Sequence, residues 1–235
     1  MTEPPVGPQS ERRPVAVLFA DIVGFTAMAE RLDPETVTDA VNDIFRMLGE
    51  AVEAFGGHVD KVIGDNLMAL FGAPVAHEDD AQRAVRAALA MQRVMRERED
   101  QTRRLLGEPV RLRIGIHSGM VVWGSVGPPG QARPTVMGDT VNLASRLQRA
   151  APPGGVLVSE AVSRQVRGAF HCVMLEPIGV RGKSEPVAVY EVTGEREHVE
   201  PVARPPFVNR HDELAQLADL LARATRPRPG GDRHR

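Results

Sequence analysis

Apolar residues between positions 34 and 55 follow the spacing of an α-helix. They recur so that they share one helical face, and they are Val37, Val41, Ile44, Phe45, Leu48 and Val52. Asp33-Pro34-Glu35 has the residue types that begin a helix, and Gly56-Gly57 has those that end one. The pattern therefore predicts a long amphipathic helix over Pro34–Phe55.

Strand and helix patterns alternate along the rest of the chain. Short apolar runs bounded by turn residues predict strands over Pro14–Ala20, His58–Ile63, Asn66–Phe71, Val110–His117, Met120–Val126, Val156–Ser159 and Val187–Val192. Helical spacing predicts two further helices, from about Asp79 to Arg98 and over Thr140–Arg149. This order predicts an α+β fold of ferredoxin-like type, an antiparallel sheet with helices on one face and additional strands on the C-terminal side.

Composition and charge narrow the class of protein. The chain has 235 residues, of which 42% are hydrophobic, so it can bury a sizeable core. Its net charge of -2 gives no reason to expect a nucleic acid or a membrane as a partner. A single cysteine and an N-terminus without the apolar core of a signal peptide predict a cytoplasmic location.

Both ends of the chain are predicted to lie outside the patterned region, which covers residues 13–194. Residues 1–12 are rich in Pro, Gly and charge, and they predict a disordered leader. Residues 195–235 predict a linker rich in Pro and charge, with one short amphipathic segment inside it.

Asp21 interrupts an apolar run, and Asp65 lies in the tight turn of the predicted hairpin. A buried carboxylate costs several kcal/mol unless it is paired or binds a metal. In a ferredoxin-like sheet the first strand lies beside that hairpin, so the two carboxylates converge at one edge. Hard oxygen ligands in that arrangement suit Mg²⁺ or Mn²⁺, with phosphate oxygens completing the coordination shell.

Gly24, Phe25 and Thr26 follow Asp21 and are predicted to begin a helix. Free backbone N–H groups and the helix dipole favour an anion at such a position. Carboxylates for a metal beside amides for phosphate suit a nucleoside triphosphate. The alternative is that Asp65 is only a turn residue and Asp21 only a helix cap.

Five blocks of sequence, in order, resemble the class III nucleotide cyclases, the catalytic domains of adenylate and guanylate cyclases. They are LFADIVGFT, KVIGDNLMALFG, RIGIHSGMVVWGSVG, MGDTVNLASRL and RGKSEPVAVYEV. The resemblance spans about Arg13 to Val192. It implies an enzyme that converts ATP to cyclic AMP and pyrophosphate by in-line attack of the ribose 3′-oxygen on the α-phosphorus.

The resemblance also implies site residues. Two ions, Mg²⁺ or Mn²⁺, would lie between Asp21 and Asp65 with the Ile22 carbonyl as a further ligand. Asn142 would hold the ribose, and Arg146 would stabilise charge on the phosphate in the transition state. Lys183 would approach the phosphates from a loop.

Lys61 and Thr135 would contact the purine in this family. A lysine ammonium only donates hydrogen bonds, so it suits the N1 acceptor of adenine and not the N1–H of guanine. Guanylate cyclases of the family carry Glu at the Lys61 position. The Thr135 hydroxyl can accept from the adenine amino group or donate to guanine O6, so this residue leaves the choice open.

In the family, metal carboxylates and base-contacting residues come from different subunits. Because this one chain carries both sets, the resemblance implies a head-to-tail homodimer with two equivalent sites. The alternatives are a catalytically silent nucleotide-binding domain and a guanylate cyclase. A diguanylate-forming relative would need a GG[DE]EF-like turn, which VIGDNLMALFG does not match. Residues 205–221 resemble the start of a signalling ATPase domain that the sequence does not continue.

Overall fold

A computed structural model describes residues 11–126, 133–179 and 185–196 of the chain. All of these residues belong to one compact unit that ends at Arg196. Residues 1–10 of the predicted leader, Lys183, and residues 197–235 of the linker predicted over 195–235 lie outside the described residues. None of the described helices combines the length and the apolar character that crossing a membrane requires.

The described residues form eight strands and six helices. The strands are β1 (Glu11–Ile22), β2 (His58–Ile63), β3 (Asn66–Phe71), β4 (Leu112–Val126), β5 (Arg133–Met137), β6 (Val156–Ser159), β7 (Phe170–Met174) and β8 (Val189–Glu195). The helices are α1 (Phe25–Arg31), α2 (Pro34–Ala54), α3 (Asp80–Glu97), α4 (Glu99–Leu106), α5 (Asp139–Ala150) and α6 (Glu160–Val166).

One sheet contains all of these strands, in the order β2-β3-β1-β4-β6-β8-β7, with β5 paired to the far end of β4. All of the pairs are antiparallel except β4 with β6, which is parallel. The predicted α+β class is therefore confirmed, and the predicted antiparallel sheet is confirmed apart from the parallel pair of β4 and β6. Glu11 and Arg12, which the prediction placed in the leader, belong to β1 and pair with β4.

The core lies on both faces of the sheet. On one face, Leu18 of β1 packs in a cluster with residues of α2, α3 and α6. On the opposite face, Val15 and Val17 of β1 pack in a cluster with Ala144 of α5. The prediction that the helices share one face is right for α2, α3 and α6 and wrong for α5. The physical reason is that consecutive residues of β1 are apolar, so the strand is covered on both faces.

The two predicted strands Val110–His117 and Met120–Val126 are in fact one strand, β4. Ser118 and Gly119 pair with β1 and do not form a turn. Gly119 serves close packing instead, because a Cβ there would lie 2.7 Å from the Thr140 hydroxyl of α5. The sequence patterns predicted Met120–Val126 as a separate strand beside Val110–His117. The strand that pairs with Val122–Val126 is instead β5, which no pattern predicted.

Gly115 of β4 sets how closely α5 approaches the sheet. A Cβ at this position would lie 2.1 Å from the backbone nitrogen of Gln148 and 2.5 Å from the carbonyl oxygen of Ala144. Both contacts are with backbone atoms of α5, which a side-chain rotation cannot relieve. The absent side chain therefore lets the helix backbone pack directly on the strand beside Asp21.

We predict that Gly115→Ala destabilises the fold and displaces α5. Overpacking of this kind lowers the free energy of unfolding by about 1–3 kcal/mol, which urea denaturation measures. Gly168→Ala is the matched control, because a Cβ at Gly168 meets no atom within 4 Å. Equal free energies of unfolding for the two variants would contradict the close packing of α5.

Candidate metal and nucleotide site

Strand pairing brings Asp21 and Asp65 together at the end of β1. Asp21 pairs with Asn66, the first residue of β3, and the Asn66 side-chain amide donates to Asp21 Oδ1 at 2.6 Å. The backbone N–H of Ile22 donates to the carbonyl oxygen of Asp65 at 3.2 Å. The turn of the hairpin therefore lies against the end of the first strand, and Asp21, Ile22 and Asp65 lie together there.

The electrostatics of this site favour a cation. Burial raises the pKa of Asp21 above its ordinary value of 3.8, and the negative charge of Asp65 raises it further. The charge of Arg113 and hydrogen bonds from Asn66 and Gln148 act in the opposite direction. Because two carboxylates repel each other at short range, a divalent cation between them would stabilise both in the ionised form.

The donor set fits a hard divalent metal. It consists of carboxylate oxygens and backbone carbonyls, which Mg²⁺ and Mn²⁺ prefer. The described part of the chain contains no cluster of three or more His, Cys, Asp or Glu residues that could hold a metal alone. A Mg²⁺ ion typically takes only one or two protein carboxylates and completes its shell with water and substrate phosphates, so a pair of carboxylates is compatible with such an ion.

Arg113 is a site residue that the sequence patterns did not identify. It pairs with Asp21 across β1 and β4, and its charge lowers the pKa of that carboxyl. Its Nε is buried and makes no hydrogen bond within the described residues. The sequence does place this cationic residue between the buried Leu112 and Ile114 in a strand. Its side chain therefore points to the face of the sheet opposite theirs, toward α5.

The helix predicted after Asp21 is present as α1. Its N-cap is Gly24, which adopts a left-handed conformation with φ 77° and ψ 9° and provides no side-chain cap. Phe25 and Thr26 are the first two helical residues. Their backbone N–H groups belong to a helical first turn, which has no intrahelical acceptors for them.

Lys61 and Thr135, predicted as a pair, are in contact. Lys61 Nζ donates to Thr135 Oγ1 at 2.9 Å. A third residue that the sequence patterns did not identify joins them, because Thr135 Oγ1 donates to Asp60 Oδ2 at 2.8 Å. Lys61 Nζ also forms an ion pair with the same Asp60 oxygen at 3.1 Å. The three side chains thus form one polar cluster between β2 and β5.

Asn142 and Arg146 lie one helical turn apart on α5, as predicted. Asn142 is exposed and Arg146 is half-buried. Within the described residues neither side chain makes a hydrogen bond or an ion pair. Within one chain, Asp21 lies beside Asp65, and Lys61 contacts Thr135. Among the described residues, no polar contact joins either of these pairs to Asn142 or Arg146.

We predict that Asp21→Asn stabilises the protein at pH 7 when divalent metal is removed with a chelator. A raised pKa means that folded Asp21 binds its proton more tightly than unfolded Asp21 does. Its contribution to stability therefore falls as the pH rises from the unfolded pKa, about 3.9, through the raised folded pKa. At pH 7 the ionised carboxyl opposes folding, so the variant should melt at a higher temperature in calorimetry.

The order should reverse when metal is added. Mn²⁺ at about 100 times its Kd stabilises the protein it binds by about 2.7 kcal/mol, and we expect Asp21→Asn to gain much less than the unsubstituted protein. Asp39→Asn is the control, because Asp39 is exposed on α2. Equal stabilisation of all three proteins by Mn²⁺ would show that Asp21 does not bind the metal.

Comparisons with known proteins identify the family of this chain. Residues 8–194 match the family model described as the adenylate and guanylate cyclase catalytic domain. An adenylate cyclase of Anabaena cylindrica is 35% identical over 196 residues, which are 80% of this chain and 38% of that protein. The chain thus spans less than half the length of this curated relative.

Two solved structures resemble the fold closely. The adenylyl cyclase CyaB from P. aeruginosa aligns with a TM-score of 0.78 and 33% identity, over 80% of this chain and 98% of that one. The guanylyl cyclase Cya2 aligns with a TM-score of 0.77 and 32% identity, over 81% and 97%. The match over residues 8–194 shows that this chain belongs to the family of adenylate and guanylate cyclase catalytic domains.

Proposed function

We propose that this domain is an adenylate cyclase, which converts ATP to 3′,5′-cyclic AMP and pyrophosphate. The observation that carries the proposal is the position of Asp21 and Asp65, two carboxylates beside the cationic Arg113. Phosphoryl transfer needs positive charge where phosphate oxygens become more negative, and it needs that charge held in advance. The choice of ATP over GTP rests on Lys61.

Asp21, Asp65 and the carbonyl oxygen of Ile22 would hold two Mg²⁺ or Mn²⁺ ions in each site. When bound, such ions polarise the reacting phosphate and hydroxyl oxygens and neutralise the triphosphate. Arg113 would add a fixed positive charge beside the same carboxylates. The backbone N–H groups of Gly24, Phe25 and Thr26 would donate to phosphate oxygens, as at other helix N-termini.

The reaction is an intramolecular displacement at the α-phosphorus. The ribose 3′-hydroxyl gives up its proton to water, and its oxygen attacks in line to form a new P–O bond. The bond from the α-phosphorus to the oxygen that bridges to the β-phosphorus breaks, and pyrophosphate leaves with that oxygen. Asn142 would hold the ribose so that the 3′-oxygen faces the phosphorus. Arg146 would donate to the phosphate oxygens in the transition state, and Lys183 would contact the departing phosphates.

Lys61 would select the base. Its Nζ has one N–H directed to Thr135 and lies beside the Asp60 carboxylate. An ammonium group carries three N–H donors and no acceptor, so a remaining N–H can serve adenine N1. Guanine would present its own N1–H to this donor, and an unpaired buried donor costs about 1–3 kcal/mol.

A head-to-tail homodimer would complete two such sites. Asn142 and Arg146 have no polar partner within the described part of their own chain, which leaves both available to a nucleotide bound at another subunit's carboxylates. In a dimer of C2 symmetry, each site would take its carboxylates from one subunit and its base-contacting and ribose-contacting residues from the other. The monomer would then be inactive.

We predict that the purified protein forms cyclic AMP from ATP in the presence of Mg²⁺ or Mn²⁺ and little cyclic GMP from GTP. Asp65→Ala should lower the rate by about 100-fold or more, because the metal loses one of two carboxylates, whereas Asp39→Ala should not change it. Chromatographic separation of the products measures both rates. Dominant cyclic GMP would instead indicate a guanylate cyclase, and nucleotide binding without any cyclic product would indicate a silent domain.

We also predict that two inactive variants restore activity when mixed. In a hybrid dimer of Asp21→Ala and Asn142→Ala chains, one of the two sites carries both intact residues. Random pairing makes half of the dimers hybrid, so the mixture should regain about a quarter of the unsubstituted activity.

A mixture of Asp21→Ala with Asp65→Ala chains is the matched control. In the proposed dimer each site takes both of its carboxylates from one subunit, and every chain in this mixture lacks one of the two. Every site therefore stays defective, and no activity should return. Absence of recovery in the first mixture, with hybrid dimers demonstrated by differently tagged chains, would contradict shared sites.

A further inference from the structure

We propose that Asp60 is a positioning residue that makes the nucleotide-base site selective for adenine by fixing the hydroxyl proton of Thr135. This inference rests on the proposed function and extends it to a residue outside the sequence motifs of the site. Asp60 acts through Thr135 and Lys61, because its own side chain is 0% exposed and cannot touch a bound nucleotide directly.

A β-bulge in β2 makes this cluster possible. Val59 pairs with Ala69 and Lys61 pairs with Met68, so the register shifts and Asp60 is the extra residue between them. In a regular strand, neighbouring side chains point to opposite faces of the sheet. The bulge redirects one of them, and both Asp60 and Lys61 consequently reach the same Thr135 oxygen.

The hydrogen bonds of Thr135 determine what its hydroxyl can offer a ligand. A hydroxyl has one proton and two acceptor lone pairs. The proton goes to Asp60 Oδ2 at 2.8 Å, and one lone pair receives Lys61 Nζ at 2.9 Å. The remaining lone pair can only accept a hydrogen bond.

An acceptor at this position distinguishes the two purines. The exocyclic amino group of adenine donates hydrogen bonds, whereas O6 of guanine only accepts them. A Thr135 oxygen whose proton is already bound to Asp60 would complement adenine and would face guanine O6 with a second acceptor. Asp60 therefore resolves the choice that the identity of Thr135 alone leaves open.

The burial of Asp60 supports a dedicated role. Its Oδ1 is buried and has no hydrogen-bond partner within the described residues. A carboxylate in such surroundings is normally disfavoured unless its neighbours compensate, and the only side chains that hold it among the described residues are Thr135 and Lys61. Unfavourable local arrangements of this kind are expected at functional sites more than elsewhere.

The test is the ratio of kcat/KM for ATP to kcat/KM for GTP in Asp60→Ala. With the carboxylate gone, the Thr135 hydroxyl can rotate and donate to guanine O6, so we expect the ratio to fall about tenfold. A purely structural role would lower both values of kcat/KM by the same factor and leave the ratio unchanged, which would overturn the proposal.

Two further variants isolate the effect on Thr135. In a Thr135→Val background there is no hydroxyl to orient, so adding Asp60→Ala should change the ratio less than threefold. Thr135→Ser keeps the hydroxyl and should preserve the ratio. An equal effect of Asp60→Ala in both backgrounds would show that Asp60 acts by another route.

The outcome remains readable if a variant or the enzyme fails. Should Asp60→Ala unfold, Asp60→Leu keeps a similar side-chain size, removes both acceptors of the Thr135 proton, and should lower the ratio in the same direction. If the unsubstituted protein forms no cyclic nucleotide, the proposed function fails, and the ratio of ATP to GTP affinity in equilibrium binding tests Asp60 instead. A selective wild-type cyclase whose ratio is unaffected by Asp60→Ala and Asp60→Leu would refute this inference alone.

Discussion

Asp21 and Asp65 repel each other at the end of β1, and the sheet holds them in place against that repulsion. Six consecutive residue pairs between β1 and β3, from Ala16–Phe71 to Asp21–Asn66, fix the position of the hairpin turn. A shift of the register by a single residue would move Asp21 to the opposite face of the sheet. The buried pairs along β1 therefore offset the free-energy cost of bringing two negative charges together.

The face of β1 that Asp21 shares with Val15 and Val17 carries α5, the helix that would act on the substrate. Because Gly115 has no side chain, α5 packs with its backbone directly on β4. Gln148 of this helix donates a hydrogen bond to Asp21, so the position of α5 is coupled to the carboxylate site. A single sheet thus provides the carboxylates from a strand end and a hairpin turn, and it supports Asn142 and Arg146 on the helix above.

Local patterns predicted much of this fold because they report local physics. Helical spacing identified α2 almost to the residue, and a carboxylate in an apolar run identified Asp21. The continuity of β4 was not predictable, because Gly119 looks the same in a turn as under a closely packed helix. The position of α5 was missed for a similar reason, since apolar residues on a helix do not state which face of the sheet they cover.

Arg113 and Asp60 show the same limit at the site. Arg113 becomes relevant only through the register that pairs it with Asp21. Asp60 becomes relevant through a bulge, which sequence alternation does not reveal, and through a hydrogen bond to a residue 75 positions away. Both residues are defined by pairing across the sheet and not by spacing along the chain.

The central claim, that Asp65 acts electrostatically on Asp21 and that a cation relieves the repulsion, is tested most directly by titrating Asp21. Carboxyl carbon NMR of the protein in a chelator should give Asp21 a pKa above 3.8, and Asp65→Asn should bring it closer to that value. Added Mg²⁺ should also lower the pKa in the unsubstituted protein. The same Asp21 pKa with and without the Asp65 charge, and with and without metal, would contradict the account.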